Sequence, residues 1–337
     1  APAPGRRGGR VSRPLVPARD FPRLSRAPAL ALLLLAVVPY LNALTAGFTF
    51  DDEVVVRDDP RLASPARVGE VFTSGHFGVP LATAKNYRPV VLLTFAVQRW
   101  TTGTDPLPFH AVNVALHAAT TLLLAAWLLG LGMPRAPSLA AAALFAVVPI
   151  HAEAVTGVVG RFELLVAALV FSAALLFRRA TDGPRLARLP YSAALLAFLA
   201  ALFSKEHAVV LPGVVALGEL LRLDAAEPLA ARLRRKALPF AGLLVPLGAF
   251  AGVRVLLVGS GLVGAKEAFF DLDNPLAPLP GSLRAANALV LLLRYAWQTF
   301  VPLGLSADHS AHALDLLESL RDPRAAAGLA GLVALAG

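Results

Sequence analysis

The chain has no cysteine among its 337 residues, which excludes disulfides, thiolate nucleophiles and Cys-ligated zinc. Charge is also scarce: Asp, Glu, Lys and Arg make up 16% of the residues, against about 25% in a soluble domain. Apolar residues reach 57% and the mean hydropathy is +0.66, values that mark an integral membrane protein. Runs of alternating apolar and polar residues, the pattern of a membrane β-barrel, are missing, so the expected fold is all-α and polytopic. No Gly-rich phosphate loop of either common type occurs, which argues against a soluble nucleotide donor. The net charge is +9, but no aromatic-interleaved basic stripe accompanies it, and nucleic acid is not an expected partner. The bases lie instead in short clusters between apolar blocks, as the positive-inside rule requires.

The first apolar run, 28–46, carries no charge and matches the roughly 20 helical residues that a bilayer core holds. The tail before it, 1–26, has seven arginines against one acid. It is expected to be disordered and cytoplasmic, with 27–337 forming one transmembrane domain. Further apolar blocks lie near 108–131, 137–150, 161–178, 189–204, 207–222, 237–258 and 325–337. The missing initial Met and the apolar end suggest a chain cut at both ends. The Ala-, Leu-, Arg- and Pro-rich vocabulary suggests a GC-rich bacterial genome.

The segment 88–100 decides the parity. If it lies on the outer surface, the tail, Arg135 and the basic loops around 178–188 and 222–236 all face the cytoplasm, gathering 17 bases against 4 acids. It is also too short to span and charged at both ends, so an interfacial helix is expected. The stretch 284–304, with Arg294 and Gln298 inside it, is read as a second surface-lying or re-entrant helix. On this map all seven His residues (76, 110, 117, 151, 207, 309 and 312) fall in or near outer segments.

Chemistry-bearing residues gather on that same face. Asp51 and Asp52 follow the first span at the water–lipid boundary. A carboxylate there would take a proton from a hydroxyl, and the pair would equally serve as ligands for a divalent metal, Mg or Mn. The same diacid would also serve simply to end the helix. A surface helix over 66–73, with Val68, Val71 and Phe72 on one side, is expected to lie over the site. Tyr87-Arg88-Pro89 follows, with Pro89 at a helix start and Arg88 either binding phosphate through its planar fork or anchoring the helix at the headgroups.

His110, Asn113 and His117 share one helical face. They read first as a hydrogen-bonded helix interface and only weakly as metal ligands. His151, Glu153, Arg161 and Glu163 crowd an outer turn. Lys205, between two apolar blocks, needs a partner: Glu206, an acid of the first loop, or a ligand phosphate. Acids suited to base catalysis beside cations suited to a departing phosphate are what sugar transfer from a polyprenyl-phosphate carrier requires.

In order, these motifs resemble the transmembrane, tetratricopeptide-containing O-mannosyltransferase family and its bacterial relatives in the GT-C glycosyltransferase superfamily. The resemblance runs from about residue 40 to 310. It rests on Phe50-Asp51-Asp52, Tyr87-Arg88-Pro89 with Leu92 to Phe95, Phe109-His110 through Asn113 to His117, and Leu144-Phe145 with Pro149-Ile150-His151-Ala152-Glu153. It continues in Gly160-Arg161 with Glu163, Ser204-Lys205-Glu206, Asp273-Asn274-Pro275, and Pro302 with Leu305 to Ser310.

The resemblance implies a GT-C-like multi-span bundle whose external first loop bears interfacial helices. It also implies a lipid-phosphate donor of mannose or another hexose, and an acceptor hydroxyl on protein Ser/Thr or a glycan. By position, Asp51 or Asp52 becomes the base or metal ligand of an inverting transfer, Arg88, Arg161 and Lys205 serve the phosphate, and Asp308 supports the site. Two departures stand out: no tetratricopeptide repeats occur, and the last motif reads Asp308-His309-Ser310 where the family has Asp-Tyr-Ser. Outside that family, a transporter or flippase of a lipid-linked or anionic substrate would bury similar charges but should show internal repeats. A non-catalytic scaffold would not gather acids and cations on one face.

Overall fold

The structure, a computed structural model, describes residues 24–81, 86–225, 227–258, 275–303 and 314–336. The tail up to residue 23, Asp273, Asn274, Asp308, His309 and His312 lie outside the described residues. Among those described, no strand forms; Ser74 and Pro80 make one isolated bridge.

The first helix, α1 (Arg26–Val37), continues as a 3₁₀ segment, Val38–Thr45. The change falls at Pro39, which lacks the N–H that an α-helix interior needs. Then come α2 (Pro89–Thr102), α3 (Pro106–Gly130), α4 (Arg135–Val147), α5 (Ala152–Thr156), α6 (Arg161–Thr181) and α7 (Arg188–Leu202). The last are α8 (Leu211–Leu220), α9 (Leu229–Gly242), α10 (Leu244–Val258), α11 (Gly281–Phe300) and α12 (Pro323–Ala336).

Among the described residues, four stretches are long and apolar enough to cross a membrane: Arg26–Thr45, α3, α6 and Leu229–Leu257. Helix α4 with Pro149–Thr156, bent by 48°, makes a fifth if the pair is one span. The chain is therefore an all-α polytopic membrane protein. Neither α2 nor α11 is among these stretches.

Helix α6 is the central element. Between it, α3, α7 and α8 lies a core of Trp127, Phe177, Phe198, Leu202 and Leu211. Lipid supplies no hydrophobic drive for helix association, so close approach of small residues matters; Ala173, Ala174, Ala194 and Ala201 are all buried here. A Cβ on Gly160 would lie 2.1 Å from the Ala154 carbonyl oxygen, so α5 and the start of α6 meet only because that residue is glycine.

A second apolar cluster packs the segment after α1 onto α2. Val55, Val56, Leu62 and Val71 meet Val91, Leu92 and Phe95, with Phe109 and Phe162 beneath. The expected surface helix is a 3₁₀ segment, Pro65–Phe72. It buries Val71 and half-buries Val68 but leaves Phe72 45% exposed. With three residues per turn, 68 and 71 share a face and 72 turns away, which corrects the grouping of all three.

The two ends of the bundle carry different charge arrangements. At the end where α6, α8 and α3 finish, Lys236 Nζ lies 2.7 Å from Asp182 and 2.5 Å from Glu219. Arg178 and Arg222 also bond Asp182, and Arg222 bonds Asp224. Residues 229–236, expected as part of a basic loop, are the start of amphipathic α9, and it buries Arg232 and Lys236. Pairing with Glu219, Asp182 and the Glu219 carbonyl makes that burial tolerable.

Candidate functional site

The opposite end is built from the starts of α2 and α6 and the ends of α7 and α10. The Val90 N–H bonds the Phe203 carbonyl, tying the start of α2 to the turn after α7. This brings Arg88 to Glu206, 118 positions away: Nε and Nη2 donate to one carboxylate oxygen at 3.2 and 3.1 Å. The other oxygen accepts from Arg254 of α10 at 3.2 Å. Burial pushes the Glu206 carboxyl up, but the Arg88 charge, a backbone N–H and Arg254 outweigh it and hold it below the usual range. Glu206 thus stays ionised and holds two guanidinium groups side by side. Both are accessible, their side chains 14% and 18% exposed.

Lys205 begins the turn that carries Glu206, and its extended backbone turns its side chain to Glu163. Glu163 also lies 3.4 Å from His207. Of the three partners expected for Lys205, Glu206 is therefore excluded, because the two arginines occupy it. Side chains in the Lys205–Glu163 pair are 27% and 43% exposed, so water screens it.

Arg161 behaves differently. It is 1% exposed, and it donates to the Asn113 side chain at 3.0 Å, the Phe109 carbonyl at 3.1 Å and Thr94 at 3.5 Å. Its guanidinium lies 4.4 Å from the Phe95 ring centroid. These bonds join α2, α3 and α6 through one buried cation. Asn113 completes the joint by donating to the Gly157 and Val158 carbonyls. His117 pairs with the Ala146 carbonyl and His151 with the Phe145 carbonyl, in one aromatic group with Tyr40. The stripe 110, 113 and 117 is thus a helix interface; His110 is buried with neither ring nitrogen bonded among the described residues. Tyr87 donates to the Phe72 carbonyl, and Glu153 is exposed without an ion pair to these groups.

The two acids of the diacid part company. Asp52 is 1% exposed; its oxygens accept from the Val159 N–H at 2.7 Å and the Thr49 N–H at 3.3 Å. It ties the segment after α1 to the start of α6. Asp51 is exposed and its carboxylate makes no hydrogen bond among the described residues. It follows Phe50, at φ 49°, the one non-glycine in the left-handed region there, and precedes a π-helical turn, Glu53–Arg57. Such backbone strain and π-turns concentrate at functional positions.

No group of three or more His, Cys, Asp or Glu able to hold a metal occurs among the described residues. Each Asp52 oxygen accepts one backbone N–H, and no step is assigned to a metal.

Sequence reasoning missed Arg254. A lone arginine in the apolar run Leu244–Val258 is a signal in itself.

A family model described as protein O-mannosyl-transferase TMTC, DUF1736, matches residues 264–336. Protein O-mannosyl-transferase TMTC3 of Homo sapiens is 30% identical over 311 residues, which cover 85% of this chain and 33% of that protein. Protein O-mannosyl-transferase F38B6.6 of Caenorhabditis elegans is 28% identical over 305 residues, 88% of this chain and 41% of that protein. TMTC1 of Homo sapiens is 39% identical over 165 residues, 46% of this chain and 19% of that protein. The chain spans 33–41% of the length of these curated relatives that it matches over most of its own. No solved structure matches it.

Proposed function

The chain belongs to the protein O-mannosyl-transferase TMTC family, and from that premise we propose that it moves mannose or another hexose from a polyprenyl-phosphate carrier to a protein Ser/Thr hydroxyl. Asp51 takes the proton of the acceptor hydroxyl as its oxygen attacks the anomeric carbon. The bond from that carbon to the phosphate oxygen breaks on the opposite side, the phosphate keeps the electron pair, and the sugar inverts. Asp52 positions Asp51 through its backbone bonds. Arg88 and Arg254 hold the phosphate, with Lys205 beside them.

The arrangement around Glu206 carries this reading. Among the described residues, three cations, Arg88, Arg254 and Lys205, gather about two carboxylates, Glu206 and Glu163. A glycosyl phosphodiester brings one negative charge, and the monoester left after transfer brings more, so the cluster favours charge that grows during reaction. Charge-assisted hydrogen bonds contribute about 1.5–3 kcal/mol each. Arg88→Ala and Arg254→Ala should therefore each lower transfer from polyprenyl-phosphate mannose to a Ser/Thr peptide in proteoliposomes by about tenfold to a hundredfold. Lys205→Ala should weaken donor binding with little loss of thermal stability, because its pair with Glu163 is screened. Movement of the lipid-linked sugar across the membrane with no covalent change would instead favour a transporter or flippase.

We place this end of the bundle on the external side of a bacterial inner membrane. The support is the concentration of Arg178, Arg179, Arg185, Arg188 and Arg222 at the other end. Single-cysteine variants in this Cys-free chain should react with an impermeant probe at Ala63→Cys in intact cells. Gly183→Cys and Leu229→Cys should react only after permeabilisation. External reaction at position 183 would reverse the orientation.

A further inference from the structure

The segment between α1 and α2 forms a cavity of about 490 Å³ that the mechanism above leaves unused. That volume lies within the range of ligand-binding clefts, about 300–1,000 Å³. The floor is built. Arg61 is buried in the 3₁₀ turn Pro60–Leu62 and pairs with Asp59 at 2.6 Å. It also donates to the Gly75 carbonyl at 2.7 Å, and to Ser74 Oγ and the His76 carbonyl at 2.8 Å. One guanidinium thus fixes two turns that line the cavity. Two of the lining side chains are apolar and exposed, Val54 at 58% and Phe77 at 47%.

Charge narrows what can enter. Of the lining cations, Arg61 is matched by Asp59 and Arg67 by Glu70, and the lining carboxylate of Asp58 is matched by Arg57. A phosphate would find no unmatched cation among these residues, whereas an uncharged, partly apolar ligand would meet Val54 and Phe77. Position narrows it further. Asp51 and Asp52 run without a break into the π-helical turn Glu53–Arg57. Residues three apart in a helical turn are neighbours, about 5–6 Å between Cβ atoms, so Asp51 stands beside Val54. The acceptor hydroxyl has to reach Asp51, and the residues on either side of it arrive at the same place. In an extended chain, side chains two apart point the same way and lie about 7 Å from each other. With its hydroxyl at Asp51, such a chain carries the side chain two positions away past Val54 to the cavity.

We infer that this cavity is an acceptor subsite that takes an apolar side chain two positions from the accepting Ser or Thr of an extended polypeptide. This rests on the acceptor role of Asp51 in the proposed function. It is tested with the full chain in lipid nanodiscs and fluorescein-labelled peptides carrying one Thr, with Val or with Gly two positions to either side. Binding is read by fluorescence anisotropy without any sugar donor, so it does not depend on transfer. The wild type should hold the Val peptide about three- to tenfold tighter than the Gly peptide, the range for partly covering one apolar side chain. Phe77→Ala should remove most of that preference and Phe77→Leu should keep it. Thr73→Trp fills the cavity from its lining and should remove the preference with Phe77 intact. Both positions are exposed, so melting should stay near wild type. Equal binding of the two peptides by the wild type, binding of neither, or a preference that survives both Phe77→Ala and Thr73→Trp would overturn the subsite. A mannose disaccharide that binds in place of the peptides, and is lost with the same variants, would make it a glycan site and overturn the polypeptide assignment. A clear Val preference without any transfer from polyprenyl-phosphate mannose to the Thr would leave the polypeptide site standing and defeat the proposed reaction.

Discussion

Asp51→Asn lowers sugar transfer by about a hundredfold or more while insertion and thermal stability stay near wild type. Removing a general base typically costs about 10²–10⁴ in rate. The structure leaves no reason for a folding defect, because Asp51 is exposed and its carboxylate bonds to nothing among the described residues. Asp52→Asn should show the opposite balance. Both its oxygens accept backbone N–H groups, and an Asn amide would turn a donor toward one of them. Leaving such a group unmet costs about 1–3 kcal/mol, so this variant should melt early. Transfer and melting measured on the same two preparations separate the roles. Near-normal transfer by Asp51→Asn would remove Asp51 from the mechanism.

The largest loss of stability is expected at the other end of the bundle, from Lys236→Met. Lys236 is 0% exposed and bridges Glu219 and Asp182; removing it takes away the hydrogen-bonded partner of the buried Glu219 carboxylate and leaves it Arg232, 3.4 Å away without a hydrogen bond. Breaking a buried pair from one side costs about 3–5 kcal/mol. Adding Glu219→Gln removes the poorly compensated charge and should recover part of the loss in detergent melting.

Asp182 reports on the same network. Burial pushes its carboxyl up, but the charge of and hydrogen bond from Lys236, with Arg222 and Arg178, hold it at about 2. Its folded value lies below the unfolded value of about 3.9. Its contribution is therefore complete above about pH 4 and is lost as pH falls toward 2. Wild-type melting should drop through that window. Lys236→Met should show a smaller drop, since Asp182 then titrates nearer its unfolded value.

The helices were legible from the chain alone because hydropathy is a local property. The apolar run at 28–46 and the blocks near 108–131 and 161–178 correspond to Arg26–Thr45, α3 and α6. Pro89 marked the start of a helix, as expected. The run at 237–258 was legible only in part. The basic start of α9 reads as a loop until Glu219 and Asp182 are seen to neutralise it. Gathering of Arg88, Lys205 and Glu206 could be anticipated because each sits at a break between apolar blocks.

Which charge meets which was decided by the tertiary structure. Lys205 could face Glu206, its neighbour in sequence, or an acid on another loop. The backbone at position 205 and the approach of α6 give it to Glu163, 42 positions away. Arg88 and Arg254 share Glu206 because the start of α2 and the end of α10 arrive at one turn. The chain likewise carries Asp51 and Asp52 as equals, and only the position of the Val159 N–H separates an anchored carboxylate from a free one. Arg161 reads as one more outer cation until three helices close over it. Composition and periodicity determine that this protein is an all-α membrane bundle, because each helix answers to its own few turns of sequence. The division of its charges into struts and a site depends on distances between helix ends, which no local property of the chain encodes.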